Sequence, residues 1–222
     1  MTDAYLSPVW ISLKTVFVAT IITFFLGIVA ARWMARYRGR FKGLIDSLFI
    51  LPLVLPPTVV GYGLLLMFGV HGPLGQLLLL VNTTIVFSWP ATVIAAAVMS
   101  FPLMYMTAKG GFEQVAPNIE DAARTLGAGE WKVFWSVTVP MAWPSIAAGT
   151  VLALARSLGE FGATLMLAGN IPGKTATIPV AIYSAVQAGD DQRALILVLI
   201  TVVIALCSLV GIAYWKARTL KI

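Results

Sequence analysis

The chain has 222 residues, 59% of them hydrophobic and 11% charged, with a mean hydropathy of +0.92 and a net charge of +6. Such a composition lies outside the range of soluble domains and marks a polytopic membrane protein with little room for a water-soluble domain. The positive charge does not signal nucleic acid, because Arg32, Arg36, Arg38, Arg40 and Lys42 crowd into one short stretch directly after an apolar run. That is the positive-inside pattern, and the same cluster suits anionic lipid headgroups.

A helix needs about 20 mostly apolar residues to cross a bilayer, and a spanning segment must satisfy its backbone internally. Apolar runs at 10–33, 44–68, 84–108, 141–168 and 194–214 predict five transmembrane helices in one membrane domain covering 10–215. The first run is too long for a cleavable signal peptide, and its basic residues follow rather than precede it. Lys14 lies near its outer end, where an ammonium can snorkel to water. The second run contains Leu51-Pro52-Leu53-Val54-Leu55-Pro56-Pro57-Thr58. Prolines remove amide donors and bend the axis. Irregular backbone at membrane depth is tolerated where it is buried in protein or lines a watery cavity. Pro56, Pro57 and Thr58 therefore mark either a lined pathway or a packing kink. A Gly/Pro-rich stretch, 69–75, follows it and carries the single histidine, His71.

Between the third and fourth runs lies a polar island, 110–139. Glu120 and Arg124 are one helical turn apart and can pair on an exposed face. Ala122 and Ala123 are small enough for another protein to come close. Gly127 and Gly129 break the helix, and a second short one runs from Glu130 toward Pro140. The pattern fits a solvated connector, or a helix–turn–helix knuckle offered to a partner.

The fourth run carries Arg156 and Glu160, four residues apart and so on one helical face. A charge at the centre of a span costs roughly 2.5–3.5 kcal/mol on insertion scales, so mutual neutralisation is favoured. Two readings stay open: an ion pair that locks packing, or a pair facing a pathway. Gly159 and Gly162 permit a close helix approach or a hinge at the same level. The segment 177–188 is too short to span and reads as an external amphipathic or re-entrant helix. With the basic loop inside, five spans place the N-terminus outside, and the polar island and the basic residues Lys216, Arg218 and Lys221 in the cytoplasm. Trp10, Trp33 and Trp215 read as interfacial anchors, and Cys207 as a packing residue. Asp46 falls at the entry of the second span, in interfacial water.

Signals for chemistry fail one by one. Gly169-Asn-Ile-Pro-Gly-Lys-Thr175 has three residues between its glycines where a phosphate-binding loop has four. Asn170 and Lys174 are better read as external-loop contacts. His71 has no second ligand to complete a metal set. No nucleophile elbow is present. The chain is expected to hold no catalytic residue, no metal and no cofactor.

The island resembles the EAA motif of permease subunits of ATP-binding-cassette (ABC) importers, whose form is Glu-Ala-Ala, three residues, Gly, then a hydrophobic-Pro ending. Here Asp121-Ala122-Ala123 keeps the spacing to Gly127, with Asp121 in place of the usual Glu and Val139-Pro140 as the ending. Arg156-Ser-Leu-Gly-Glu-Phe-Gly-Ala-Thr164, the loop from Ala168 to Thr175, residues 51–57 and residues 177–183 look like the molybdate-importer branch. Sulfate permeases share a related Gly-Glu-Phe-Gly segment. The resemblance covers essentially the whole chain. It implies an all-α membrane protein of the type I ABC importer permease architecture, with Glu120, Asp121, Ala122, Ala123, Gly127 and Pro140 in a cytoplasmic coupling element. It further implies a homodimer in a prokaryotic inner membrane and two copies of a separate ATPase that uses ATP and Mg. An extracytoplasmic binding protein would deliver molybdate or tungstate. The alternative cargoes are sulfate, thiosulfate or another small oxyanion. The alternative class is an ATPase-independent channel or secondary transporter, which would need ionisable relays in several helices.

Overall fold

The computed structural model describes residues 2–219; for 2–4, 209 and 211–219 it describes the backbone alone. Trp215, Lys216, Arg218 and Lys221 lie outside the residues whose side chains are described. The described chain is all helix and turn: α1 (Thr2–Arg36), α2 (Lys42–Val54), α3 (Pro57–Phe68), α4 (Pro73–Leu79), α5 (Trp89–Glu113), α6 (Pro117–Thr125), α7 (Glu130–Val133), α8 (Val139–Leu158), α9 (Gly162–Ala168), α10 (Ile178–Gln187) and α11 (Asp191–Thr219). A π-helical turn, Phe134–Thr138, joins α7 to α8. Four helical stretches are long and apolar enough to cross a membrane, and the broken pair α2–α3 makes a fifth crossing if counted as one.

Chain contacts divide the protein into two compact units. One comprises Met1–Phe17, Pro57–Ala96 and Leu158–Ile222. In it α3 packs on α9 at short range: a Cβ at Gly61 would lie 2.6 Å from Ala163 Cα, so only glycine admits this backbone approach. Ile178 and Ala181 of α10 bury against Leu197 of α11, with Tyr5 and Val9 of α1 alongside. The Ile178 amide donates to Ser12 Oγ (2.7 Å), which satisfies an orphan donor at the start of α10. Thr15 pairs with Thr92 (2.9 Å) and accepts the Trp89 indole N–H (3.0 Å), while the Lys14 ammonium sits 3.9 Å above the Trp89 ring.

The other unit comprises Val18–Pro56 and Ala97–Ser157. Its core is built from Ala31 and Met34 of α1, Met104, Tyr105, Ala108 and Phe112 of α5, and Ala142, Ile146 and Ala153 of α8. Asp46 of α2 accepts both the Lys109 ammonium (2.6 and 2.7 Å) and the Tyr105 hydroxyl of α5. Among the described residues of α1 and α11, many apolar side chains stay exposed, including Phe17, Phe25, Val29, Leu195, Leu199 and Val203. Exposed apolar area on that scale suits a lipid solvent.

The structure departs from the sequence reading in four places. The run 44–68 is two helices, because Pro56 and Pro57 lack amide donors and Leu55 is extended (φ −74°, ψ 146°). The run 141–168 is interrupted after Leu158, and the helix that feeds it starts earlier, at Glu130. Glu160 is therefore off the end of α8, and the shared helical face expected for Arg156 and Glu160 does not form. Arg32 and Arg36 belong to α1 rather than to a loop. The third run begins at Trp89 rather than near residue 84, since Pro73–Leu79 forms the short α4 and turns follow it.

Candidate functional site

The polar island folds as the expected pair of short helices. Pro117 starts α6 in the first turn, where its missing N–H costs nothing. Gly127 ends it with φ +82°, a left-handed conformation that bulkier residues resist. The Gly127 and Ala128 amides bond back to the carbonyls of Arg124 (2.9 Å) and Ala123 (3.1 Å). α7 opens after Gly129, whose carbonyl accepts the Val133 amide (3.0 Å).

Glu120 is not on an exposed face as its pairing with Arg124 suggested; it is only 9% exposed. Its Oε1 accepts Arg32 Nη2 (3.1 Å) and the Thr138 hydroxyl (2.6 Å). Its Oε2 accepts Arg36 Nη2 (2.8 Å) and Arg124 Nη2 (3.3 Å). Burial pushes the Glu120 carboxyl up, but the bonds from Thr138 and Arg36 and the charges of Arg32 and Arg36 outweigh it, lowering it to about 2. Arg36 also reaches Glu130 Oε2 (3.0 Å), and Arg124 bonds Asp121 (2.6 Å) and Glu130 (2.5 Å). The outward side of the knuckle is apolar and accessible: Leu126 is 88% exposed and Trp131 76%, with Asp121, Ala122, Thr125, Gly127 and Trp135 also exposed. Pro140, an exposed residue of the first turn of α8, lies two residues beyond Thr138.

A second cluster forms where the chain leaves regular helix. Gly162, the first residue of α9, lies against the start of α3, so that a Cβ there would fall 3.0 Å from Pro57 Cβ and 3.3 Å from the Thr58 nitrogen. Glu160 is buried, and its Oε1 accepts the Ala163 amide (2.8 Å), capping the new helix. Thr58, Pro57 and the Glu160–Gly162 turn are thus brought together. Pro56 is exposed at the end of its own unit, and Arg156 is half-buried in the last turn of α8. Asn170 and Lys174 are exposed residues of the 169–177 loop, whose last three residues are buried; Asn170 donates to Ser184 Oγ of α10 (2.5 Å), and the amides of residues 174–176 close on the Ile171 carbonyl.

The sequence reading missed Arg32, Arg36 and Thr138 as partners of Glu120, and Lys109 and Tyr105 as partners of Asp46. The spacing of Arg32 and Arg36, one helical turn, was the available signal; it was absorbed into the positive-inside pattern. Nothing local links Asp46 to Lys109, 63 residues away. A groove of about 190 Å³ lined by Ile22, Leu26, Leu48, Pro52, Ala97 and Phe101 is too apolar to receive an anion. Among the described residues, no group of three or more His, Cys, Asp or Glu side chains is placed to hold a metal ion.

Kinked and interrupted spans with a polar knuckle between two of them recur in solved transporters. A bacterial alginate ABC transporter, solved in complex with an alginate pentasaccharide-bound periplasmic protein, shares this fold: the TM-score is 0.79 at 17% identity, over 96% of this chain and 78% of that one. Residues 16–220 match the binding-protein-dependent transport system inner membrane component family, to which the chain belongs. The molybdenum transport system permease protein ModB of Escherichia coli K12 is 46% identical over 220 residues, 98% of this chain and 96% of that protein. The sulfate transport system permease protein CysT of the same organism is 36% identical over 184 residues, 83% of this chain and 66% of that protein.

Proposed function

We propose that this chain is the membrane-spanning permease of an ATP-driven importer that moves molybdate, or tungstate, across the inner membrane by alternating access. The observation that carries the reading is the α6–α7 knuckle with its accessible apolar side, set in a chain that matches a molybdenum permease from end to end. Two copies of the chain would enclose one pathway. Two copies of a separate cytoplasmic ATPase, using ATP and Mg, would each grip one knuckle through Asp121, Ala122, Leu126 and Trp131, and an extracytoplasmic binding protein would deliver the anion. Closure of the ATPase pair would draw the knuckles together and rock the attached helices as rigid bodies.

The breaks in helix at Leu55–Pro56 and at Gly159–Phe161 each support a pathway lining, since non-helical backbone at membrane depth is tolerated where it is buried in protein or lines a watery cavity. Arg156 would attract the oxyanion, and Asn170 and Lys174 would touch the delivering protein. Sulfate is the second reading, favoured by the CysT similarity.

The test is purification from the native membrane with mass spectrometry of what accompanies the chain, followed by uptake competition. A retained ATPase, and molybdate uptake that excess sulfate does not suppress, are the expected results. Efficient anion flux through vesicles holding the purified chain alone refutes the reading. Gly127→Val, which forces a β-branched residue to φ +82° at a cost of about 1–2 kcal/mol, should still insert yet retain much less ATPase.

A further inference from the structure

We propose that Glu120 is a positioning residue that ties the knuckle to the end of α1, and that the ATPase reads the opposite side of α6. The inference rests on the docking role proposed above and assigns its parts. A carboxylate offers about four acceptor sites. All four positions on Glu120 are taken within the chain, by Arg32, Arg36, Arg124 and Thr138. A basic group arriving from a partner would have to displace one of these donors from a site that is nearly closed to water. Asp121, Ala122 and Leu126, on the outward side of the same short helix, are open.

The bonds of Glu120 also span three elements. Arg32 and Arg36 come from α1, Arg124 from α6 itself, and Thr138 from the π-turn that becomes α8. Arg36 uses its second nitrogen on Glu130, so one guanidinium holds α6 and α7 at once. Charge-assisted contacts in which one guanidinium bridges two carboxylates fix geometry as well as charge. Without them α6 is held by the chain at Ala116 and the Gly127–Gly129 turn and by its packing on α7 and the π-turn, joints that can pivot under load. A push delivered by the ATPase would then be spent on local rotation. With the clamp closed, displacement of α6 is passed to α1 and to α8 together. The π-turn is where a helix carries one extra residue per turn, a feature common at functional sites, and its Thr138 supplies the shortest of the four bonds.

The test uses the permease–ATPase complex isolated from the native membrane, with three variants compared against it: Glu120→Gln, Arg36→Gln and Ala122→Arg. ATPase retention, ATP hydrolysis and oxyanion uptake in proteoliposomes, supplied with the loaded binding protein, are measured for each. Glu120→Gln and Arg36→Gln should keep the ATPase at the wild-type ratio and continue to hydrolyse ATP, while uptake per ATP falls at least tenfold. Ala122→Arg should lose the ATPase. A purely structural role would lower the yield of complex without changing uptake per ATP in what remains. That outcome overturns the proposal, as does loss of the ATPase from Glu120→Gln to the extent seen for Ala122→Arg. Should Glu120→Gln not accumulate, Arg36→Gln carries the test, since its arginine is partly solvated, and wild-type uptake per ATP in that variant overturns the clamp. A wild-type chain that retains no ATPase would instead refute the docking role itself.

Discussion

Replacing Gly61 by alanine probes the α3–α9 crossing directly. The added methyl would stand 2.6 Å from Ala163 Cα, 2.9 Å from Met166 Cβ and 3.1 Å from the Ala163 carbonyl oxygen. Carbon atoms in contact settle at about 3.5–4.0 Å, so the overlap is roughly 1 Å. Two of the three atoms are backbone, and the strain is relieved only by moving one helix off the other. Overpacking of this sort costs about 1–3 kcal/mol. Alanine also gains about 0.5–1 kcal/mol over glycine inside a helix, which confuses the measurement unless it is subtracted. Gly63, two residues on in the same helix, provides the subtraction, because nothing lies within 4 Å of its Cβ position. Both variants share the propensity gain, so their difference isolates the clash. Thermal unfolding in detergent should therefore place Gly61→Ala below Gly63→Ala by about 1–3 kcal/mol, or several degrees for a chain of this size. Uptake should fall in Gly61→Ala and persist in Gly63→Ala, because Gly61 seats α3 on α9, the helix that follows the turn holding Glu160. Equal melting of the two variants would show that the helices do not cross at this distance, and the pathway assignment would lose its geometry.

Glu120 makes the stability depend on acid. Its carboxyl is held at about 2 against an ordinary 4.5. Its contribution is therefore complete above about pH 4.5 and is lost as the pH falls through that interval toward 2. The difference corresponds to about 3 kcal/mol. An acid unfolding series of the wild type should show this loss, and Glu120→Gln should flatten it. Glu160→Ala removes the acceptor of the Ala163 amide and should cost about 1 kcal/mol, while Glu160→Gln keeps a carbonyl there and should cost less; denaturation midpoints of the two variants decide this. Lys109→Met strands Asp46 beside Tyr105 and should destabilise by about 3 kcal/mol, most of which the double change with Asp46→Asn restores. Additive losses in that double variant would speak against direct pairing.

The EAA-like spacing was legible because it is local: a first-turn proline, two small residues and a left-handed glycine specify a helix, a turn and a second helix over some twenty positions. The burial of Glu120 was not legible, because a solvated i,i+4 pair and a buried four-donor site have the same local sequence. What separates them is α1, whose arginines lie 84 and 88 residues away in the chain. The break before Glu160 was half legible. Gly159 and Gly162 permit a hinge there, but apolar content continues to Ala168, and hydropathy does not register where the backbone bonds stop.

By itself, then, the sequence determined the solvent, the helical class, most of the apolar crossings and the helix–turn–helix form of the polar island. Each of these follows from residue type and short-range periodicity, which a bilayer enforces strictly. The tertiary structure alone decided which charges meet, that Gly61 is a close helix contact, and that the Glu120 carboxylate faces inward while Asp121 of the motif stays exposed. Those outcomes depend on the approach of helices far apart in the chain. There the desolvation of an ionised group must be met by donors whose positions no local pattern encodes.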